Sequence, residues 1–263
     1  MPSGETKSAA DFQSEMRVKG WSLFDSVVPE AELKALRAAL DEACEQCREA
    51  QVRNNLPNTE GTAHHVLVFE GPFMDFLTRY DLDAEIRAYF QSQYVLNSFG
   101  AVVTRKDSAS YAMNMHRDVR AFTGELKLML NMLVMLDDFT LENGATHLLT
   151  GSHARPERPD PEAFARDADR LTGKAGSICL FDSNLWHGAG RNRTDQPRRA
   201  ITLTFTKGLV KPQFDYIRYF GEDRVAQMDP QLQQMLGWNA RVPASLDEWY
   251  RPVETRFYKP GQD

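Results

Sequence analysis

The stretch "YAMNMHRDVRAF", residues 111–122, sets His116 and Asp118 two positions apart in an otherwise mostly apolar segment. Along a β-strand, residues i and i+2 face the same side. If residues 111–118 form a strand end, Asn114, His116 and Asp118 share one face. A neutral imidazole and a carboxylate on one face offer two ligands to a divalent metal. A second histidine would complete the two-histidine, one-carboxylate set that holds non-haem Fe(II) with open positions opposite. An HxD pair alone is a weak signal, because chance supplies it often. Its weight comes from the residues that accompany it.

The chain has six histidines: His64, His65, His116, His147, His153 and His187. His187, in "LFDSNLWHGAGRNRT", follows the β-like run "SICLF" and precedes Gly188 and Gly190, which suit a turn at a strand end. It lies 71 residues beyond His116, far enough for a distant strand to return beside the first. His147 and His153 flank a turn in "NGATHLLTGSH" and lack that setting. Arg198, in "DQPRRAITLTF", comes 11 residues after His187 at the start of another β-like run. A guanidinium grips a carboxylate through two parallel hydrogen bonds. An iron site that uses 2-oxoglutarate needs such a grip on the far carboxylate of that cosubstrate. Arg199 should face the opposite side of the strand, so Arg198 is the first choice and Arg199 the second.

The elements that would position these groups follow from pattern and punctuation. Residues 1–10 are expected to be loose, followed by a short helix over Ala9–Val18 and a short strand in "GWSLFDSVV". "PEAELKALRAALDEACEQCREA" carries Leu33, Leu36, Leu40, Cys44 and Cys47 at helical spacing, which predicts an amphipathic helix to about Ala50. The CxxC within it is the continuation of that apolar stripe, since no second Cys/His pair has zinc-finger spacing. Residues 51–66 are polar with Pro and Gly and read as a loop; "GPFMDFLTRY" and "DAEIRAYFQ" read as helical. From about Tyr94 the chain becomes a series of short β-like runs: "YVLNSFGAVVTR", "SYAMNMHRD", "LKLMLNMLVMLDDF", "THLLTG", "GSICLFD" and "RAITLTFTKGL". Strands after a helical N-terminal part predict an α+β, mainly β sandwich or barrel buttressed by helices. Residues 153–174, charged and Pro-rich, read as an insertion between strands that could cover a site. The aromatic C-terminal tail is expected to wrap over the β core. One domain spanning residues 1–263 accounts for the whole pattern.

Composition narrows the function classes. Hydrophobic content of 42% and charged content of 26% are those of a globular protein. A net charge of -6 without a dense basic patch gives nucleic-acid binding little electrostatic support. No apolar run has the length of a membrane span, and the polar N-terminus lacks the apolar stretch of a signal peptide. With an odd number of cysteines and no disulfide framework, the expectation is an intracellular, cytoplasmic protein. Oligomeric state is not legible.

The series "MHRD", "ENGATHLLTGSH" and "LWHGAGRNRTDQPRRAI" resembles the phytanoyl-CoA dioxygenase family over roughly Gly20 to Lys207, with order and spacing intact. These are Fe(II)- and 2-oxoglutarate-dependent oxygenases. The resemblance implies a double-stranded β-helix, a cupin-like jelly-roll with flanking N-terminal helices. It implies metal ligands at His116, Asp118 and His187, and the cosubstrate arginine at Arg198. It further implies use of O2, release of succinate and CO2, and oxidation of an unactivated C–H bond of a small organic molecule, hydroxylation first. A related subgroup with Gly or Ala in place of the carboxylate ligand halogenates; Asp118 argues against that outcome. Two departures stand out. Thr150 replaces the usual Pro of the P-G-S-H turn, and Ala189 stands where some members carry a hydroxyl that helps hold the cosubstrate. Asn131, on the strand "LKLMLNMLVML", and Asn114 are the candidates to supply that contact; a purely structural partner is an equal reading for each. His64 and His65 either contact substrate or sit in a solvated loop. The competing class is a cupin-like metal-binding isomerase or small-molecule-binding protein with the same barrel and no oxygen chemistry.

Overall fold

Alternating side chains sort the β-rich part of the chain onto two faces. The computed structural model describes residues 7–57, 59–106 and 110–262. Its strands are β1 (Trp21–Phe24), β2 (Thr62–His64), β3 (Val95–Thr104), β4 (Met129–Met135), β5 (Thr146–Leu148), β6 (Asp169–Leu171), β7 (Ile178–Asp182), β8 (His187–Gly188) and β9 (Arg198–Thr206). They form two antiparallel sheets, one in the order β1-β7-β4-β9-β3-β2 and a smaller one in the order β6-β5-β8. Helices are α1 (Ala9–Val18), α2 (Glu30–Arg53), α3 (Pro72–Leu77), α4 (Asp83–Phe90), α5 (Pro161–Asp167), α6 (Tyr216–Phe220), α7 (Glu222–Val225), α8 (Pro230–Met235) and α9 (Leu246–Trp249).

One face of the large sheet presents Phe99, Leu130, Met132, Val134, Ile178, Leu180, Ile201, Leu203 and Phe205. Against it pack Phe12 and Met16 of α1, Leu33, Leu36 and Leu40 of α2, and Phe73, Phe76 and Ile86 of α3 and α4. Each such side chain stabilises the fold by about 1.5–3 kcal/mol on burial. The opposite face offers Leu133, Met135, Cys179, Phe181 and Ala200, which meet Leu148 and Leu171 of the small sheet. The large sheet is therefore the middle layer, with helices on one side and the small sheet on the other. Towards one end, the face turned to the small sheet becomes polar: Ser98, Asn131, Arg198, Thr202 and Thr204 line a cavity there.

The helix bounds of α1 are those predicted, with Ser8 as its N-cap accepting from the Asp11 N–H at 3.1 Å. The looseness expected for residues 1–10 does not extend to Lys7, whose ammonium donates to the Ser22 hydroxyl and the Leu23 carbonyl at 2.8 Å each; residues 1–6 lie outside the described residues. Helix α2 carries the CxxC as packing, with Cys44 and Cys47 half-buried against the core and their thiols raised by burial, Cys44 to about 11. The expected loop over 51–66 holds β2, which pairs Thr62–His64 with Gly100–Val102 of β3. The 153–174 insertion is not free of the sheets, because it contains α5 and β6, and β6 pairs with β5. The tail returns to the body through buried Phe257 and a reciprocal amide pair between Gln262 and Gln234. Among the described residues no helix is long and apolar enough to cross a membrane.

Candidate metal centre

The segment that carries His116 and Asp118 is not a strand, contrary to the sequence expectation. The Ser110 hydroxyl accepts from the Ala112 N–H at 3.3 Å, and residues Tyr111–Met113 coil as one 3-10 turn. Asn114 then returns to extended backbone. His116 forms a single antiparallel bridge with His187 of β8: its N–H donates to the His187 carbonyl at 2.9 Å, and its carbonyl accepts from the His187 N–H at 3.0 Å. Residues joined by both bonds lie directly opposite one another. The two imidazole rings are consequently 4.2 Å apart, centre to centre. Asp118 comes round beside them, with Oδ1 3.4 Å from His116 Nε2 and Oδ2 3.5 Å from His187 Nε2. One donor atom from each of the three residues lies within 4.8 Å of the others. Gly188 permits this close pass, since a Cβ there would lie 3.2 Å from the carbonyl oxygens of Met113 and Asn114.

The second nitrogen of each ring decides which nitrogen is free. His116 Nδ1 lies 2.7 Å from the Asn114 carbonyl and His187 Nδ1 lies 2.9 Å from the Leu185 carbonyl. A carbonyl only accepts, so Nδ1–H donates in both rings and Nε2, on the side of Asp118, keeps its lone pair. Burial holds His187 below the usual histidine range. Burial also acts to lower His116, but the hydrogen bond and charge of Asp118 and the Asn114 carbonyl outweigh it and raise the group. Burial opposes charge on Asp118; the neighbouring His187, His116 and Asn131 outweigh it and hold the carboxyl below its ordinary value. Two imidazole nitrogens and an ionised carboxylate oxygen on one side of an open cavity suit a first-row divalent metal such as iron.

Arg198 opens β9 opposite Thr104 of β3 and is 1% exposed. Its Nη1 donates to the Gly144 carbonyl at 2.7 Å, its Nη2 to the Thr104 hydroxyl at 2.7 Å, and its plane lies over Phe139 at 4.3 Å. Among the described residues its buried Nε has no hydrogen-bond partner and no carboxylate hydrogen-bonds the guanidinium. Burial pushes its pKa down to about 10. Gly144, at φ +82°, and Gly190 let two turns touch and bring the Gly144 carbonyl to Arg198; a Cβ on Gly190 would stand 2.6 Å from the Ala145 oxygen. Arg199 turns the other way, to Asp137 at 3.4 Å and Asp41 at 3.3 Å.

The three candidate ligands and Arg198 line one cavity of about 850 Å³. His64 and His65 stand at this cavity as well, His64 exposed at the end of β2 and His65 half-buried just after it. His64 Nε2 lies 2.7 Å from the Tyr111 hydroxyl, and His65 stacks on Phe214 at 4.7 Å. His147 pairs with Gly188 in the small sheet, and His153 is buried with Nε2 3.2 Å from the Arg17 carbonyl. Neither lines the cavity. Asn114 lines it, while its backbone carbonyl orients the His116 ring. Asn131 lines it too, but its amide is engaged: Nδ2 donates to Asp118 Oδ2 at 2.8 Å, and Oδ1 accepts from the Thr204 hydroxyl at 3.0 Å. The sequence signal for this contact was an isolated amide in an apolar strand. Arg117 lies between the two candidate ligands in sequence. Its guanidinium lies 4.7 Å over Trp186 and donates to the Ser152 carbonyl at 3.0 Å, to that of Pro156 at 3.2 Å and to that of Arg155. It ties the 152–156 segment to the rim, where Pro156 and Arg158 complete the wall.

Comparison with known proteins adds three findings. Residues 16–200 match the family described as phytanoyl-CoA dioxygenase (PhyH). Uncharacterized proteins of Mycobacterium bovis and Mycobacterium tuberculosis are each 32% identical over 260 residues, covering 95% of this chain and 94% of theirs. A dioxygenase of Talaromyces verruculosus is 31% identical over 141 residues, 50% of this chain and 46% of that protein. Among solved structures, AviO1 from Streptomyces viridochromogenes superposes with a TM-score of 0.58 at 20% identity over 79% of this chain and 99% of its own. SnoN, a non-heme alpha-ketoglutarate-dependent epimerase from nogalamycin biosynthesis, gives 0.56 at 17% identity over 75% of this chain and 80% of its own. At those identities the two structures share the fold.

Proposed function

We propose, from the premise that this chain belongs to the phytanoyl-CoA dioxygenase family, that it is an Fe(II)- and 2-oxoglutarate-dependent dioxygenase acting on a small organic molecule. The two sheets are then the halves of the family's double-stranded β-helix, with the cavity at the mouth between them. His116, Asp118 and His187 hold the iron, and Arg198 binds the far carboxylate of 2-oxoglutarate. Iron bound there supplies oxidation of an unactivated C–H bond by O2, coupled to conversion of 2-oxoglutarate to succinate and CO2, with hydroxylation the expected outcome.

The observation that carries this reading is Arg198. A cation this deeply buried costs several kcal/mol unless it is paired, yet among the described residues its hydrogen-bond partners are neutral oxygens and one nitrogen has none. It lines the same cavity as a three-residue metal set. A dicarboxylate cosubstrate supplies the missing anion through a charge-assisted contact. The remaining roles belong to the chain itself. Asn114 and Leu185 hold the imidazoles in the metal-binding tautomer through their carbonyls. The apolar wall of Leu133 and Phe181 excludes water from the reacting end. Arg117 and Trp186 secure the rim, and His64, His65 and Tyr111 face the substrate space.

The test is product analysis under air. Iron-loaded protein supplied with 2-oxoglutarate and a panel of candidate substrates is expected to release succinate in proportion to oxidised product. Asp118→Ala should release none. Tight iron binding with no succinate across the panel, and no measurable 2-oxoglutarate affinity, would instead support a cupin-like metal-binding protein.

A further inference from the structure

Asn131 sits on β4, 3% exposed, among Leu130, Met132 and Leu133. A buried amide in an apolar strand is costly unless its donors and acceptor are satisfied. Here they are satisfied in a directional way. Thr204 lies opposite Asn131 in the β4–β9 register, and its hydroxyl donates to Asn131 Oδ1 at 3.0 Å. That bond turns the amide nitrogen towards Asp118, where Nδ2 donates to Oδ2 at 2.8 Å. The reverse amide orientation would set a carbonyl oxygen against a carboxylate. Asp118 itself stands on a stretch without regular strand pairing: His116 is bridged, and beyond Asp118 the Val119 N–H makes one long bond to the Ser183 carbonyl at 3.4 Å. Backbone pairing therefore does little to hold its carboxylate, and the side-chain bond from a rigid central strand does more.

We propose that Asn131, aligned by Thr204, is the positioning residue that fixes Asp118 for metal binding, occupying Oδ2 and leaving Oδ1 as the oxygen that binds. The proposal rests on the metal-centre reading above and assigns Asn131 to the carboxylate ligand rather than to the cosubstrate. Two consequences follow. Asp118 is held in its binding orientation before any metal arrives, so metal affinity depends on a residue that does not touch the metal. The dependence passes through Thr204, so a hydroxyl on β9 tunes the centre from two contacts away.

The experiment measures two affinities separately on the full chain. Co(II) binding is followed by calorimetry; 2-oxoglutarate binding is then measured with Co(II) saturating. For Asn131→Leu, the Co(II) dissociation constant should rise roughly 10- to 100-fold, the range for removal of a group that orients a metal ligand. The 2-oxoglutarate constant with Co(II) saturating should stay within about twofold of the parent value, far below that metal effect. Thr204→Val should weaken Co(II) in the same direction and by less, and Thr204→Ser, which keeps the hydroxyl, should restore it. Thermal melts of each variant without metal establish that the fold persists; should Asn131→Leu fail to fold, the Thr204→Val and Thr204→Ser pair decides. Unchanged Co(II) affinity in Asn131→Leu and Thr204→Val overturns the proposal. So does a selective loss of 2-oxoglutarate affinity, which would make Asn131 a cosubstrate contact. If the parent protein itself does not bind Co(II), the metal-centre reading fails first, and that result is distinct from either of the others.

Discussion

Replacing Arg198 by Met should separate stability from cosubstrate binding. In the protein without ligands, Arg198 carries an opposed pair of effects. Burial lowers its pKa from the ordinary 12.5 to about 10, which corresponds to roughly 3 kcal/mol against the charged form in the folded state. The group stays protonated at neutral pH, so this cost is present wherever the protein is assayed. Removing the guanidinium relieves it but also removes the bonds to Gly144 and Thr104, each worth about 1.5–3 kcal/mol for a charged donor. Together the bonds are worth about 3–6 kcal/mol, so the relief offsets about half or more of their loss, and Met fills similar space over Phe139. The net loss of stability for Arg198→Met without ligands should therefore be about 0–3 kcal/mol, a modest fall in melting temperature. Binding of 2-oxoglutarate has no such offset. Losing one partner of a buried charge pair costs about 2–5 kcal/mol, so its dissociation constant should rise about 30-fold to several thousandfold. Iron affinity should be unchanged, because Arg198 is not among the three clustered ligands. Calorimetry with iron or Co(II) saturating measures the first quantity and a melt the second. An unchanged 2-oxoglutarate constant, or a loss of affinity matched by a large loss of stability, would refute the assignment; the first result would direct attention to how else the buried Arg198 Nε is satisfied.

Further outcomes follow from the same geometry. Asp118→Ala should abolish measurable iron binding while leaving the metal-free melting temperature nearly unchanged, since its contacts are with Asn131 and the two histidines at a cavity wall; calorimetry and a melt check this. Gly190→Ala should destabilise the protein by about 1–3 kcal/mol and weaken 2-oxoglutarate binding, because the added Cβ displaces the turn that presents the Gly144 carbonyl to Arg198; denaturant unfolding and calorimetry read the two effects. Glu15 is held at a pKa of about 2, where burial works against the charge but Lys19, Lys7 and Ser22 outweigh it. A carboxyl with a lowered folded pKa contributes stability above its unfolded value of 4.5 that disappears as pH falls through about 2. Glu15→Gln should therefore cost about 1 kcal/mol at pH 7, allowing for solvent screening of a partly exposed pair, and the difference from the parent should close towards pH 2 in urea unfolding.

The sequence was most informative where side-chain type and alternation coincided. Arg198 and Arg199 are adjacent, and strand alternation alone sends them to opposite faces: one into the cavity, the other to Asp41 and Asp137. Leu130, Met132 and Val134 announce the face that meets the helices, and helical spacing from Leu33 to Cys47 announces α2. What failed was local backbone geometry. Residues 111–118 satisfy the strand alternation, yet Ser110 starts a turn and His116 makes a lone bridge; the bridge depends on His187 arriving from 71 residues away. Strand β2 is hidden in a polar stretch with Pro and Gly because its pairing is supplied by β3. Strand β6 is hidden in the charged insertion because β5 recruits it. The engagement of Asn131 with Asp118 needs the β4–β9 register, which no spacing within one strand reveals.

In the proposed reading, one cavity holds a metal through His116, Asp118 and His187 and 2-oxoglutarate through Arg198. The most direct test is the visible absorption of the protein under anaerobic conditions, with Fe(II) added first and 2-oxoglutarate second. A weak charge-transfer band is expected only when protein, iron and 2-oxoglutarate are all present. Asp118→Ala should give no band, and Arg198→Met should give one only at far higher 2-oxoglutarate. Iron bound with no band at any concentration of 2-oxoglutarate would rule this arrangement out and leave a metal site without this cosubstrate.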